Sequence, residues 1–187
     1  PFIFTGGAGG KVKGWDLLSG ECTSLRAFSE ANFVMALRAG PDDRVFAGTS
    51  EGELALVAAD LTSKTELRAG LRSGIRALAT AHDPTKLIVA TEAHQLHVLD
   101  VEGGKLLGQR LLEGHTDLIT DVLAFPDSPE FLSCALDRSV KHWDLRKGYV
   151  GSFAAMEDKR VWAMEFLLHS QEVALGTDGG EVLFFAR

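Results

Sequence analysis

Short runs of alternating apolar residues punctuate the chain from end to end. Phe2-Ile3-Phe4, Val45-Phe46-Ala47, Leu54-Ala55-Leu56-Val57, Leu87-Ile88-Val89, Leu96-His97-Val98-Leu99 and Val182-Leu183-Phe184-Phe185 are each bounded by Gly, Asp, Ser or Thr. Alternation at this length belongs to strands, whose successive side chains point to opposite faces, and the bounding residues belong to tight turns. The pattern predicts an all-β chain with almost no helix. The best helical candidate, Lys159 to Leu168, reads equally well as a strand through Val161, Ala163 and Glu165.

The runs recur. Equivalent apolar residues stand at Val12, Leu54, Leu96, Val140 and Val182, at steps of 42, 42, 44 and 42 residues. Three residues further on, each unit carries a large apolar residue: Trp15, Val57, Leu99, Trp143 and Phe185. A period of this length with several strands per unit is the signature of a β-propeller blade. One such sheet cannot bury its apolar faces alone and must stack on its neighbours.

The fourth unit opens with Gly114-His115-Thr116-Asp117 and closes with the run Leu132-Ser133-Cys134-Ala135-Leu136-Asp137-Arg138-Ser139-Val140-Lys141-His142-Trp143-Asp144. It resembles a WD repeat almost throughout. The first unit keeps Val12-Lys13-Gly14-Trp15-Asp16, while Val57-Ala58, Leu99-Asp100 and Phe185-Ala186 stand at the Trp-Asp position elsewhere. The resemblance implies a structural relay of His115, Ser133, Asp137 and Trp143, hydrogen-bonded within one blade. The same residues invite a Ser-His-Asp hydrolase reading. The relay accounts for all of them, and the chain has no G-x-S-x-G elbow, so no enzymatic activity is expected.

The family resemblance also implies that partners dock on the narrow top face of the ring. By position its inner-strand set is Phe33, Met35, Arg76, Leu118, Thr120, Arg160 and Trp162, with Ser50, Glu92, Leu136 and Asp178 in the adjoining turns. Aromatic residues, Met and Arg are the types enriched where interfaces concentrate their energy. The acidic residues Glu157, Asp158 and Asp178 could instead hold Arg160 in an internal ion pair. Trp143-Asp144-Leu145-Arg146 resembles the W-D-x-R box of cullin-RING ubiquitin ligase substrate receptors. Asp137 and Val140 are also in place, and His142 departs from the usual apolar residue. Three functions follow as expectations: a non-catalytic scaffold or adaptor in a multiprotein complex, a substrate receptor of such a ligase, or a G-protein β-like subunit.

Residues 1–28 carry three strands, 29–70, 71–112 and 113–154 carry four each, and 155–187 carry three. The chain is then one propeller portion of about four and a half blades. The family resemblance implies a larger ring, most often seven-bladed, with the further blades lying N-terminal. Closure as a five-bladed ring is the alternative.

Charge narrows the partners. The net charge is −7, from 19 Lys and Arg against 26 Asp and Glu. Phosphate-tracking nucleic-acid binders and anionic membrane surfaces both call for a dense basic surface, so proteins are the expected partners. No run reaches the roughly 18–20 apolar residues of a membrane helix, and no signal peptide opens the sequence. Two cysteines without metal spacing, Cys22 and Cys134, favour a reducing compartment, cytoplasmic or nuclear, and are expected to be semi-buried. His94 and His97 fall on different faces of a short strand, with no second pair at metal spacing. Gly6-Gly7-Ala8-Gly9-Gly10 is followed by a strand, whereas a phosphate loop needs a helix N-terminus, and Gly176 to Gly180 read the same way. Asp42-Asp43 and Glu157-Asp158 are expected in solvated turns. No cofactor, metal or small-molecule substrate is expected.

Overall fold

The computed structural model describes residues 2–155 and 158–187, and Glu157 lies outside them. Among the described residues there are eighteen strands and one single-turn helix, the 3-10 turn Ala8–Gly10 that joins the first two strands. The strands form five antiparallel sheets in chain order. The first holds β1 (Phe2–Gly6), β2 (Lys11–Asp16) and β3 (Cys22–Arg26). The second holds β4 (Val34–Ala39), β5 (Arg44–Thr49), β6 (Leu54–Ala58) and β7 (Lys64–Glu66). The third holds β8 (Ile75–Thr80), β9 (Lys86–Thr91), β10 (Leu96–Glu102) and β11 (Lys105–Leu112). The fourth holds β12 (Ile119–Ala124), β13 (Glu130–Ala135), β14 (Ser139–Asp144) and β15 (Gly148–Ala155). The fifth holds β16 (Val161–Leu167), β17 (Glu172–Thr177) and β18 (Val182–Ala186). The stretch that could have been helical, Lys159 to Leu168, contains strand β16. The alternation of buried Val161, Met164 and Phe166 fits the sheet once a bulge is inserted after Val161.

Each sheet packs its apolar face on the next. Val12, Phe28, Val34 and Val57 join the first and second sheets, and Phe46, Leu56, Ile75 and Leu99 join the second and third. Leu96, Ile119, Phe131 and Trp143 join the third and fourth, and Phe125, Val140, Val161 and Leu175 join the fourth and fifth. Gly48 on β5 is a glycine for a steric reason: a Cβ there would stand 2.6 Å from the Ile75 side chain of the next sheet. The result is a portion of a β-propeller.

The two end sheets keep one face each in solvent. Ile3 and its cross-strand partner Trp15 on the first, and Val182 and Phe184 on the last, are exposed large apolar side chains. Contiguous exposed apolar surface of this kind drives association. Sedimentation of the 187-residue chain at rising concentration is therefore expected to show a mass climbing above that of the monomer. A mass that stays monomeric would mean these faces do not adhere.

The cysteines correct the expectation that both are semi-buried. Cys22 is exposed on β3, while Cys134 on β13 is fully buried. Burial pushes the Cys134 thiol up to about 12. The thiolate is the reactive species, so only Cys22 is open to reagents. A thiol reagent at pH 8 should label Cys22 alone in the folded chain and both cysteines after denaturation.

Candidate functional site: the inner-strand rim and the relay behind it

The fourth sheet brings His115, Ser133, Asp137 and Trp143 together. His115 Nδ1 lies 2.8 Å from Asp137 Oδ2, and Nε2 lies 2.7 Å from Ser133 Oγ. Trp143 Nε1 donates to Ser133 Oγ at 2.8 Å. The partners fix the tautomer. Asp137 only accepts, so Nδ1 carries the proton and Nε2 accepts from the serine hydroxyl, whose oxygen in turn accepts from the indole. Burial holds the His115 pKa below the ordinary histidine value, against the opposing pull of Asp137, so the ring is neutral. Burial alone would raise Asp137. Hydrogen bonds from Ser139, the Thr116 N–H and His115 outweigh it and hold the carboxyl below the ordinary range. Ser133 is fully buried and both sides of its hydroxyl are engaged, so this Ser-His-Asp set has no approach for a substrate carbonyl.

Around the propeller's inner end, the same local device recurs on four strands. Val34, Ile75, Ile119 and Val161 open β4, β8, β12 and β16 and are buried. In each ladder the register shifts directly after them, between Val34/Ala36, Ile75/Ala77, Ile119/Asp121 and Val161/Ala163. Met35, Arg76, Thr120 and Trp162 are therefore the extra residues of four equivalent β-bulges. A bulge leaves its residue out of the ladder and re-aims its side chain. Just before these strands, the carbonyls of Phe33, Gly74, Leu118 and Arg160 accept the backbone N–H of Ser50, Glu92, Leu136 and Asp178 at 2.8–3.1 Å. The inner-strand and turn residues singled out in the sequence thus share one rim.

Their environments differ. Phe33, Met35 and Trp162 are 52%, 40% and 45% exposed. Arg160 is exposed, and Leu118, Arg76 and Thr120 are half-buried. Thr120 Oγ1 donates to the Val161 carbonyl of the neighbouring sheet at 2.6 Å. The ion pair considered for Arg160 is not made with Asp178: that carboxylate accepts the backbone N–H of Arg160 at 3.1 Å. The guanidinium of Arg160 has no ion pair among the described residues.

Below the rim, the inner strands line an open cavity of about 510 Å³ bordered by Met35, Arg38, Arg76, Thr120, Asp121 and Glu165 among others. Phe33, Leu118, Arg160 and Trp162 stand on the rim outside it. Asp121 crosses between sheets: its carboxylate accepts the N–H of Met164 at 2.8 Å and of Val122 at 2.8 Å. Burial raises its pKa; those two hydrogen bonds and Arg38 pull it down, while Glu165 adds to the rise.

A family model described as "WD domain, G-beta repeat" matches residues 104–144, the stretch that contains the relay. The matched stretch is a WD repeat. It is similar to Autophagy-related protein 16 of Arabidopsis thaliana, 40% identical over 82 residues, covering 43% of this chain and 16% of that protein. It is similar to THO complex subunit 6 of Homo sapiens, 42% identical over 72 residues, covering 38% of this chain and 20% of that protein. Protein groucho of Drosophila melanogaster is 28% identical over 156 residues, covering 79% of this chain and 21% of that protein. The chain thus spans 16% to 21% of the length of these relatives.

Within the matched repeat and just beyond it, the W-D-x-R stretch divides in two. Val140 and Trp143 are core, and Asp144 caps its turn by accepting from the N–H groups of Arg146 and Lys147 at 2.8 Å. Arg146 alone is exposed, and its carbonyl accepts from Arg110 of the preceding sheet at 2.8 Å. Sequence reasoning missed a second, partial relay. Trp15 Nε1 donates to Thr5 Oγ1 at 3.0 Å, and Thr5 and Trp15 occupy the positions of Ser133 and Trp143. The signal was available: Thr5 precedes Trp15 by the same ten residues that separate Ser133 from Trp143. The inter-sheet role of Asp121 had no sequence signal, because its partner Met164 lies in another unit.

Proposed function

We propose that this WD-repeat chain is a non-catalytic scaffold that holds a protein partner within a multiprotein complex through the rim of its inner strands. The observation that carries the reading is the repeated bulge. Four strands bury their first residue, and the next one is re-aimed toward the rim or the cavity beneath it, where Met35 and Trp162 stay exposed beside Phe33 and Arg160. Large side chains held out of their own core by backbone geometry suit a contact surface, and aromatic residues and Arg dominate such contacts. The relay serves rigidity and leaves the rim to do the binding. The relatives include a subunit of a THO complex, by its name a member of an assembly, which supports a role among protein partners. An acidic chain with no candidate membrane-spanning helix among the described residues fits an intracellular protein of the cytoplasm or nucleus. The test is affinity purification of the full-length protein with the rim intact and with Arg160 and Trp162 both changed to Ala, followed by mass spectrometry.

A second reading, the ligase substrate receptor, has one observation in its favour. Arg146 of the W-D-x-R stretch is solvent-exposed and its neighbour Asp144 fixes the turn that presents it. Loss of ligase-adaptor capture on Arg146→Ala would support that reading over the first.

A further inference from the structure

We infer that the cavity beneath the rim recognises a carboxylate from an acidic peptide segment of the partner, through the guanidinium of Arg76. The inference deepens the scaffold reading and rests on it for the end of the molecule at which the partner binds. The starting observation is an unmet donor. Arg76 Nε is buried and has no hydrogen-bond partner, and its guanidinium enters no ion pair among the described residues. A buried donor without an acceptor is costly, and native structures tolerate few of them. The side chain belongs to a bulge residue, so the backbone aims it off the ladder, and it lines the cavity of about 510 Å³.

The other charges lining that cavity are already engaged. Asp121 accepts two backbone N–H groups, one of them from the neighbouring sheet. Arg38 Nε donates to Thr80 Oγ1 at 3.4 Å, and its charge acts on Asp121. Glu165 Oε1 accepts the Phe166 N–H at 3.2 Å. Glu92, the rim acid of the same sheet, stands over Gly74, where its carboxylate would lie 3.0 Å from an added Cβ, and makes no ion pair with Arg76. Among the described residues, Arg76 is thus the charged group lining the cavity whose fork is unanswered. A planar carboxylate meets a guanidinium with two parallel hydrogen bonds, and one from Nε would satisfy the buried donor. Met35 and Thr120, at the equivalent bulges to either side, line the same cavity, so the fitting segment carries an Asp or Glu next to an apolar residue.

The experiment is panning of a random peptide display library against the full chain, followed by binding measurements with synthetic copies of the enriched peptides. The expected result is enrichment of peptides with an acidic residue beside an apolar one. Changing that residue to its amide in the peptide, or Arg76→Gln in the protein, should each weaken binding about tenfold or more. The two changes together should cost no more than either alone, because both remove one interaction. Arg76→Lys keeps the charge but lacks the fork and should also bind weakly. The peptide-side change needs no protein variant and so remains informative if Arg76→Gln folds poorly. Failure to enrich acidic peptides, additive effects of the two changes, or displacement of the peptide by millimolar inorganic phosphate without any coupling to Arg76 would overturn the inference. Rim and cavity fail separately. Acidic peptides that bind through Arg76 while the Arg160 and Trp162 double variant still captures its complex would sink the rim reading and keep the carboxylate site. Peptides sensitive to Trp162 yet indifferent to Arg76 would do the reverse.

Discussion

Replacing Asp137 with Ala is expected to lower the stability of the chain by about 1–3 kcal/mol, because it strands a donor that water cannot reach. Asp137 accepts from His115 Nδ1 at 2.8 Å, from the Thr116 N–H at 3.0 Å and from Ser139 Oγ at 2.6 Å. Thr116 is exposed and turns to solvent, but the His115 side chain has no exposure. Without Asp137 the ring must fall back on the longer 3.3 Å contact from Nδ1 to Ser139 Oγ, which itself loses its Asp137 acceptor, or switch tautomer. The second course sets its Nε2 proton against the Ser133 hydroxyl hydrogen, which disturbs the Trp143 bond as well. The measurement is a denaturant midpoint for wild type and variant. An unchanged midpoint would show that the relay does not support the sheet. The same groups set an acid sensitivity. The His115 pKa is depressed below its ordinary 6.5 and that of Asp137 below 3.8. In both cases the unfolded chain binds protons more readily than the folded one, so stability is full above those values and is lost as pH falls through them. The wild type should therefore weaken on acidification first below about pH 6.5, with a second loss in the carboxylate range. The Asp137→Ala variant should lack the part of the second loss that Asp137 supplies, while other carboxylates held below their ordinary range, Asp144 among them, keep theirs.

The double change Arg160→Ala with Trp162→Ala is expected to weaken capture of the partner about tenfold or more, as loss of central Trp and Arg contacts does at other interfaces. Melting should shift little. Trp162 is nearly half exposed, and the burial at this place in β16 is carried by Val161. Arg160 binds the turn through its backbone, whose N–H donates to Asp178 and whose carbonyl accepts from it, and both bonds survive truncation of the side chain. A fall in melting temperature without a specific loss of binding would make Trp162 a packing residue and move the docking site elsewhere.

The sheets without a relay explain why the repeat could degenerate. The position of Ser133 is held by Ala47, Val89 and Leu175 in the second, third and fifth sheets, and the position of Trp143 by Val57, Leu99 and Phe185. Ala47, Val57, Val89, Leu99 and Leu175 are buried. Replacing both partners of a buried hydrogen bond by apolar groups costs little, whereas replacing one is expensive, so the relay is kept or lost as a unit. The first sheet keeps only Thr5 and Trp15, and there the pair is exposed and water can serve the missing bonds.

The period of the apolar residues determined the sheets by itself, because strand alternation is local and each unit repeats the same burial problem. Val34, Ile75, Ile119 and Val161 could be read as inward from the alternation, and the His115 set from its spacing. What a side chain meets across a sheet boundary was not readable. Val182 has the same place in its unit as fully buried Val140, yet it is 60% exposed, because no sheet among the described residues covers that face of β18. Cys22 and Cys134 look alike in the sequence and differ completely in burial. The bulges after the first inner-strand residue depend on a two-against-one pairing with the next strand, which no single segment encodes. The cavity that gathers Met35, Arg76 and Thr120 exists only once three sheets are packed side by side. Local patterning thus settled which elements form and which face of each is apolar. The tertiary structure decided which of those faces is covered and which side chains converge, since both depend on neighbours far away in the chain.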